Sequence, residues 1–322
     1  MKRFLATVLA SITLLPAVHA QGVGYPDRPI RIVVPYTPGG ASDAVARLVG
    51  KGLSAELGQP VIVDNKPGAS ATIGTGYVAN QAPDGYTLGL VAAQFVTNRA
   101  VGIKEPYDSL RDLAPVINVA WMPILVAANP KVPAKDLPSL IRWIRSQSNP
   151  VMYSSPGAGS LTQLWGELLA QRLQLQLVHV PYKGSAGAAQ AVMAGDVPLM
   201  FDVAGITTTM IREGKLNGIA TPGTERPPGL PEVSTARESG VKDLDAASFL
   251  GLVAPARTPP AVLARLNAAA NKVLRSKEYV DAVNGLGMSP AGGSAEDFGR
   301  MLAAETARWT AVARDAGIKA AP

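Results

Sequence analysis

Two stretches of the chain place glycines and small hydroxyl residues between a strand pattern and a helix pattern, and that chemistry suits anion binding. The first is Pro35–Asp43, containing Tyr36, Thr37, Gly39, Gly40, Ala41, Ser42 and Asp43. Gly39 and Gly40 let the backbone come close to a ligand, and Ser42 and Asp43 suit a helix start. A helix N-terminus presents unpaired N–H groups and about half a positive charge. A carboxylate or phosphate can settle there without a cationic side chain. The second stretch is Ser154–Gln163, with Gly157, Ala158, Gly159, Ser160 and Thr162 in the same layout. Facing each other, the two turns would grip a ligand with two anionic groups. Taken singly, each would more often be a plain connection; two at equivalent positions make the functional reading about even.

Most other chemistry is excluded by composition. The 322 residues include no cysteine. That removes disulfides, thiolate metal sites, cysteine nucleophiles and iron–sulfur clusters. His19 and His179 are the only histidines, so no H-E-x-x-H site can form. A histidine-based hydrolase would have to pair His179 with Ser42 or Ser160, and this secreted serine-type hydrolase is the rival reading. His179 lies in the apolar run Leu175–Tyr182, which reads as a strand, so a packed structural histidine is preferred. Gly157–Thr162 starts like G-x-G-x-x-G but lacks the third glycine, and neither a P-loop nor G-x-S-x-G occurs. Basic residues are dispersed and aromatics make up only 5% of the chain, against nucleic-acid binding. No cofactor, metal or catalytic residue is expected.

The elements that must hold these turns alternate. Arg31–Tyr36 reads as a strand, and Val45, Leu48, Val49, Leu53 and Leu57 stripe the next helix up to Gly58. Pro60–Asp64 is a strand, residues 72–80 a short helix, and Tyr86–Ala92 a strand. The pattern restarts with helix Leu137–Ser148, strand Val151–Ser154 and a helix marked by Leu161, Leu164, Trp165, Leu168 and Leu169. Strand Leu175–Tyr182, helix Ser185–Ala194 and strand Val197–Asp202 follow. Two helices close the chain. Thr258 is the expected cap of one, striped by Val262, Leu266, Ala269 and Val273. Ser294 starts the other, striped by Phe298, Met301, Leu302, Trp309 and Val312. This order means parallel α/β sheets with helices on both faces.

Residues 1–20 read as a signal peptide: Lys2 and Arg3, an apolar stretch to Val18, then Val18-His19-Ala20 at the cleavage point. The apolar stretch is too short to span a membrane and contains Pro16. Its loss takes the formal charge from +6 to +4. Val116–Ala127 is long for a strand and is interrupted by Pro123, and Ser248–Ala254 has a similar character. If both cross between lobes, residues 22–120 plus 250–322 form lobe 1 and 121–249 form lobe 2. One continuous sheet is the alternative.

The ordered set Tyr25–Ile30, Val34–Asp43, Leu57–Ala69, Ala82–Leu88, Asp112–Val116, Val180–Ser185, Leu230–Val233 and Glu238–Gly240 spans the chain after the leader. It closely resembles the Bug family, the extracytoplasmic solute-binding proteins of tripartite tricarboxylate transporters. The resemblance implies a two-lobed, type II-like periplasmic binding protein fold, with two α/β domains joined by two crossing strands. It implies a small carboxylate or related metabolite held by backbone amides around Gly39, Gly40, Ala41 and Ser42, with the Gly157–Thr162 turn opposite. Asp202 matches a family aspartate near the cleft; a role toward a ligand amine or hydroxyl and a plain strand-end role stay open. Lys183 is read as a solvated lysine. The stretch Ala92–Asn98 departs from the usual Ser/Thr- and His-rich pattern, so Gln94, Phe95 and Thr97 would make a distal pocket bulkier. The expected protein is a periplasmic monomer that closes on its ligand and docks on transporter membrane subunits or on a sensor; an orphan sensor is the further alternative.

Overall fold

The computed structural model describes residues 24–319. The expected signal peptide lies outside the described residues. Ile30–Val34 forms β1, buried except at Arg31. It pairs in parallel with β2 (Val61–Asn65) and β3 (Thr87–Val91), and helices α1 (Ala41–Leu57) and α2 (Thr72–Ala79) make the crossovers. Burial on both faces explains why β1 and β3 read as near-continuous apolar runs rather than as alternating ones. After β3 come α3 (Gln94–Ala100) and the 16-residue β4 (Leu113–Ala128).

A second parallel set follows α4 (Leu137–Arg145): β5 (Val151–Ser155), α5 (Leu161–Leu173), β6 (Leu177–Pro181), α6 (Ser185–Ala194) and β7 (Leu199–Val203). β5 pairs in parallel with both β6 and β7. After α7 (Ile206–Arg212) and β8 (Asn217–Ala220), the chain returns through β9 (Ala247–Pro255) to α8 (Pro260–Leu274), α9 (Lys277–Gly285), β10 (Ser289–Pro290) and α10 (Ala295–Asp315).

β4 belongs to both sets. Its first part pairs antiparallel with β9 as far as Pro123↔Ala247. From Ile124↔Val203 onward it pairs antiparallel with β7, and with β8 on its other edge. The hydrogen-bonded order is β2-β1-β3-β9-β4-β7-β5-β6. The change of partner falls at a proline, which has no N–H to give to a ladder. Its carbonyl still accepts from Ala204 N at 2.8 Å. Register shifts at Pro115/Ile117 and Asn118/Ala120 add twist before the changeover.

Local signals fixed several boundaries and missed others. Ser294 caps α10 by accepting from Asp297 N, as the sequence suggests. Thr258 does not cap α8: its hydroxyl donates to Pro255 O at 2.7 Å, and the helix begins at Pro260 with no side-chain cap. The hydroxyl closes a local turn onto the preceding carbonyl, and a proline at the first helical position leaves no amide there to cap. α4 stops at Arg145 rather than running to Ser148: Ser146 is its C-cap, and its hydroxyl folds back to donate to Trp143 O at 2.8 Å.

One apolar cluster gathers Phe95, Val101, Trp165, Phe201, Phe249, Phe298 and Trp309, so it joins α3, α5 and α10 with both sets of strands. A second lies between the first sheet and α1 and α8, and a third beneath α6 and β7. Gly251 is required by this packing: a Cβ there would lie 2.1 Å from Cζ of Phe298, a ring that is 3% exposed. Gly251→Ala is therefore expected to destabilise the protein by about 1–3 kcal/mol through overpacking, read as a lower urea midpoint with an unchanged m-value.

Candidate functional site

Strand direction places the two glycine-rich turns. Val91 at the end of β3 pairs with Gly251, and Ala247, at the start of the same β9, pairs with Pro123. Val203 at the end of β7 pairs with Ile124. β3 and β7 therefore both run toward the Pro123 changeover, from opposite sides. β1 and β2 run with β3, and β5 and β6 with β7. All six deliver their following loops to one junction, the usual place for a ligand in open α/β sheets. The approach is close: a Cβ on Gly159 would lie 2.9 Å from Cγ2 of Val101, which ends α3. Gly159 also sits at φ +76°, so side chains are disfavoured there on two grounds.

The first turn leaves its helix open. Gly40 is the N-cap of α1 and no side chain caps the helix. The first helical bond runs from Ala44 N to Gly40 O. The amides of Ala41, Ser42 and Asp43 find no acceptor among the described residues. Asp43 braces the turn from behind. Its Oδ2 accepts from Gly39 N and Arg47 Nε, each at 3.0 Å, and its Oδ1 accepts from Asn65 Nδ2 at 2.9 Å. Desolvation opposes its charge, but the bonds from Arg47, Gly39 and Asn65 prevail and hold the carboxyl below its ordinary range. Both Asp43 and the Gly39 amide are thus engaged inside the turn. Thr37, Gly39 and Gly40 are exposed, and Ser42 is half-buried. Tyr36 donates its hydroxyl to Gln94 Oε1 at 3.1 Å, and burial pushes its phenol up, so it remains a neutral donor.

The second turn is partly closed on itself. Ser160 Oγ accepts from Gln163 N at 3.3 Å, and Gln163 Oε1 accepts from Gly159 N at 2.7 Å. Leu161 and Thr162 amides and the exposed Ala158 amide find no acceptor among the described residues. A hydroxyl cluster lies beneath. Ser155 Oγ is 2.6 Å from His179 Nε2 and 3.3 Å from Ser160 Oγ, which is 3.2 Å from Thr162 Oγ1. Sequence reasoning placed His179 in a strand, where it is, but missed Ser155. Only the pairing of β5 with β6 brings the two together, and the strand-period signal they share is weak on its own. Burial pushes the His179 imidazole down to about 4.

Asp202 has no exposed surface. Ser185 Oγ and Val203 N donate to its Oδ1 at 3.1 and 2.8 Å, and Thr207 Oγ1 donates to Oδ2 at 2.9 Å. It ties the starts of α6 and α7 to β7. Desolvation pushes its carboxyl up to about 6, although those three donors pull the other way. In the divergent stretch only Gln94 is partly accessible. Phe95 and Thr97 are 4% and 2% exposed and face the interior. Lys183 is exposed, as expected. A separate groove of about 470 Å³ lies at the β4–β9 changeover, lined by Trp121, Pro123, Arg226, Met301 and Arg308, with neither glycine turn in it.

Two α/β sheets that share one strand, with loops gathered at their junction, form the fold of a periplasmic solute-binding protein. Solved proteins of that class match over nearly the whole chain. Rpa4515 of R. palustris, solved with adipate, is 33% identical with a TM-score of 0.81, covering 92% of this chain and 100% of that one. MatC from Rhodopseudomonas palustris, with bound malate, is 31% identical with a TM-score of 0.75, covering 89% and 99%. The chain belongs to the tripartite tricarboxylate transporter family receptors, whose model matches residues 45–318. Among relatives, protein BugT of Bordetella pertussis is 34% identical over 92% of this chain and 91% of its own. A UPF0065 protein from the tcbD-tcbE intergenic region of Pseudomonas sp. strain P51 is 33% identical over 96% and 92%. The family and its solved members are binding proteins and not enzymes, so the hydrolase reading is set aside.

Two buried titratable groups move stability in opposite directions on acidification. Folded His179 stays neutral to about pH 4, whereas the unfolded imidazole takes up a proton near 6.5. Unfolding therefore binds a proton in that window, and stability falls as pH drops. Folded Asp202 keeps its proton up to about pH 6, whereas the unfolded carboxyl has lost it above 3.8. Its contribution is present at low pH and is lost as pH rises through about 6. The two offset one another in the shared window. Asp202→Asn is expected to lose stability on acidification more steeply than wild type, by on the order of 1 kcal/mol per pH unit. His179→Gln should instead gain relative to wild type. Urea denaturation at about pH 6.5 and 4.5 reads both.

Proposed function

We propose that the protein is a periplasmic receptor that captures a small carboxylate between the two glycine-rich turns and delivers it to transporter membrane subunits. The observation that carries this reading is the uncapped start of α1, which follows β1 at the junction and whose Ala41, Ser42 and Asp43 amides find no acceptor among the described residues. A carboxylate there gains several N–H donors and the favourable end of the helix dipole. Family membership and the adipate and malate in two solved neighbours support the ligand class. The family description favours transport over a sensor role.

In this reading residues 1–20 direct export, and the protein acts as a monomer. Residues 22–120 plus 250–322 move as one lobe and 121–249 as the other. The ligand favours the arrangement in which both turns reach it, because only there does it make both sets of contacts. Tyr36, Thr37, Gly40, Ala41 and Ser42 form one side of the site and Ala158, Ser160 and Thr162 the other. Gln94 meets the distal end of the ligand. Gly39, Asp43, Gly157, Gly159 and Asp202 shape the site rather than touch the ligand.

A thermal-shift panel of mono-, di- and hydroxycarboxylates, including adipate and malate, is expected to raise the melting temperature with at least one member. No stabilisation across the panel would count against the reading. Ala41→Pro isolates the helix N-terminus. Proline fits the first helical position and the extended Gly40 before it (φ −79°, ψ 170°). It deletes one amide donor without breaking the helix. Its affinity for the stabilising carboxylate should fall about tenfold, the value of one hydrogen bond to a charged group, while the ligand-free melting temperature stays within a few degrees of wild type.

A further inference from the structure

The hydroxyl cluster under the second turn raises a question of proton direction. Tyr153 pairs with His179 across β5 and β6, and Ser155, two residues on from Tyr153, shares its face. The imidazole therefore reaches Ser155, which is completely buried. Ser155 Oγ has four polar neighbours: His179 Nε2 at 2.6 Å, Gly157 O at 3.0 Å, Gly157 N at 3.2 Å and Ser160 Oγ at 3.3 Å. A hydroxyl has one proton and two lone pairs, so these neighbours cannot all be served in every arrangement.

The histidine tautomer selects the arrangement. With Nε2 bare, Ser155 must donate to it. The two Ser155 lone pairs then take the Gly157 N–H and the Ser160 O–H, and the Ser160 proton points inward. With Nε2 protonated, Ser155 accepts from it and from Gly157 N–H, and donates its own proton to the Gly157 carbonyl. The Ser160 proton is then released from Ser155, because Thr162 Oγ1 at 3.2 Å can act as the donor of its pair with Ser160 and Ser160 Oγ still accepts from Gln163 N at 3.3 Å. Burial keeps the ring neutral near pH 7, so one nitrogen alone carries a proton. Nδ1 makes no hydrogen bond among the described residues, whereas Nε2 has Ser155 as an acceptor.

We propose that His179 is a positioning residue of the anion site: as the Nε2–H tautomer it donates to Ser155 and so frees the Ser160 hydroxyl to donate to a ligand carboxylate oxygen at the start of α5. The inference rests on the carboxylate-receptor reading above for its ligand, but the tautomer itself belongs to the free protein. The second turn thereby contributes a hydroxyl donor that its internally bonded cap would otherwise withhold.

Nitrogen-15 NMR of the ligand-free full chain, with the His179 signal assigned by its loss in His179→Gln, is expected to show a protonated Nε2 and a bare Nδ1. The opposite tautomer overturns the proposal whatever the ligand. Calorimetric titration with adipate and with malate supplies the second arm. His179→Phe should weaken binding about tenfold, whereas His179→Gln, whose amide offers a permanent donor near the Nε2 position, and Ser155→Ala, which removes the oxygen that would take the Ser160 proton, should each stay within about threefold of wild type. His179→Phe in the Ser155→Ala background should cost nothing further, and a loss of about tenfold there would overturn the proposal. Equal losses in the Phe and Gln variants would mean a packing role only, and wild-type affinity in His179→Phe would mean no role; both overturn the proposal. If wild type binds neither acid nor any other carboxylate, the receptor reading fails, and the tautomer still decides whether His179 orients Ser155.

Discussion

Proline at position 123 stands where β4 exchanges β9 for β7, and the direction of every other strand follows from that exchange. A strand shared by two sheets fixes their polarity. Both parallel sets must run antiparallel to β4 or to its partner β9, and each set then ends at the changeover. Loops that follow parallel strands are where helices begin, so two helix N-termini arrive at one place without further arrangement. The apolar cluster that spans α3, α5 and α10 holds this geometry from the side. Trp165 anchors it by donating its indole N–H to Leu244 O at 3.0 Å, and Trp309 does so toward Glu305 Oε2 at 2.7 Å.

The two turns solve the same problem differently. In the first, a buried carboxylate holds the loop: Asp43 gathers the Gly39 amide, Arg47 and Asn65 behind the helix start, so the front keeps its unpaired amides. Burying that charge would be unfavourable alone, and three donors make it tolerable. In the second, Ser160 takes the Gln163 amide and Gln163 takes the Gly159 amide, while the Leu161 and Thr162 amides find no acceptor among the described residues. An anion between the turns would therefore meet three helix amides without an acceptor among the described residues on one side, and two beside a side-chain cap on the other. The first side has one more helix amide to offer, because no side chain caps it.

The alternation of strands and helices was legible because buried parallel strands read as apolar runs and their helices as striped patterns. The glycine turns were legible because close backbone approach needs glycine and a helix start favours small polar residues. α3 was not read as a helix, since Gln94–Ala100 is short and its side chains are mostly buried, which leaves no amphipathic contrast. Asp43 read as a generic helix-start acid; its bonds to Asn65, from the next strand, depend on the pairing of β1 with β2. Ser155 and His179 are 24 residues apart and meet only through strand register. The Thr258 cap failed for a different reason, because two local hydrogen bonds competed and the turn prevailed.

Recognition through neutral donors has a consequence for how such a site works. Two cations of the first lobe are engaged elsewhere: Arg47 pairs with Asp43, and Lys66 pairs with Asp64 at 3.4 Å and lies over the Tyr77 ring with its ammonium 4.6 Å from the centroid. A bidentate arginine would bind a carboxylate strongly in any lobe arrangement. Backbone amides and hydroxyls each contribute less, and they act together only when both turns reach the ligand at once. Affinity built this way depends on the arrangement of the lobes, and a ligand can shift a conformational equilibrium only through such a difference. A single strong cation on one lobe would bind without closing. In the proposed receptor, many modest donors divided between two lobes would couple binding to closure and would release the ligand when the lobes part.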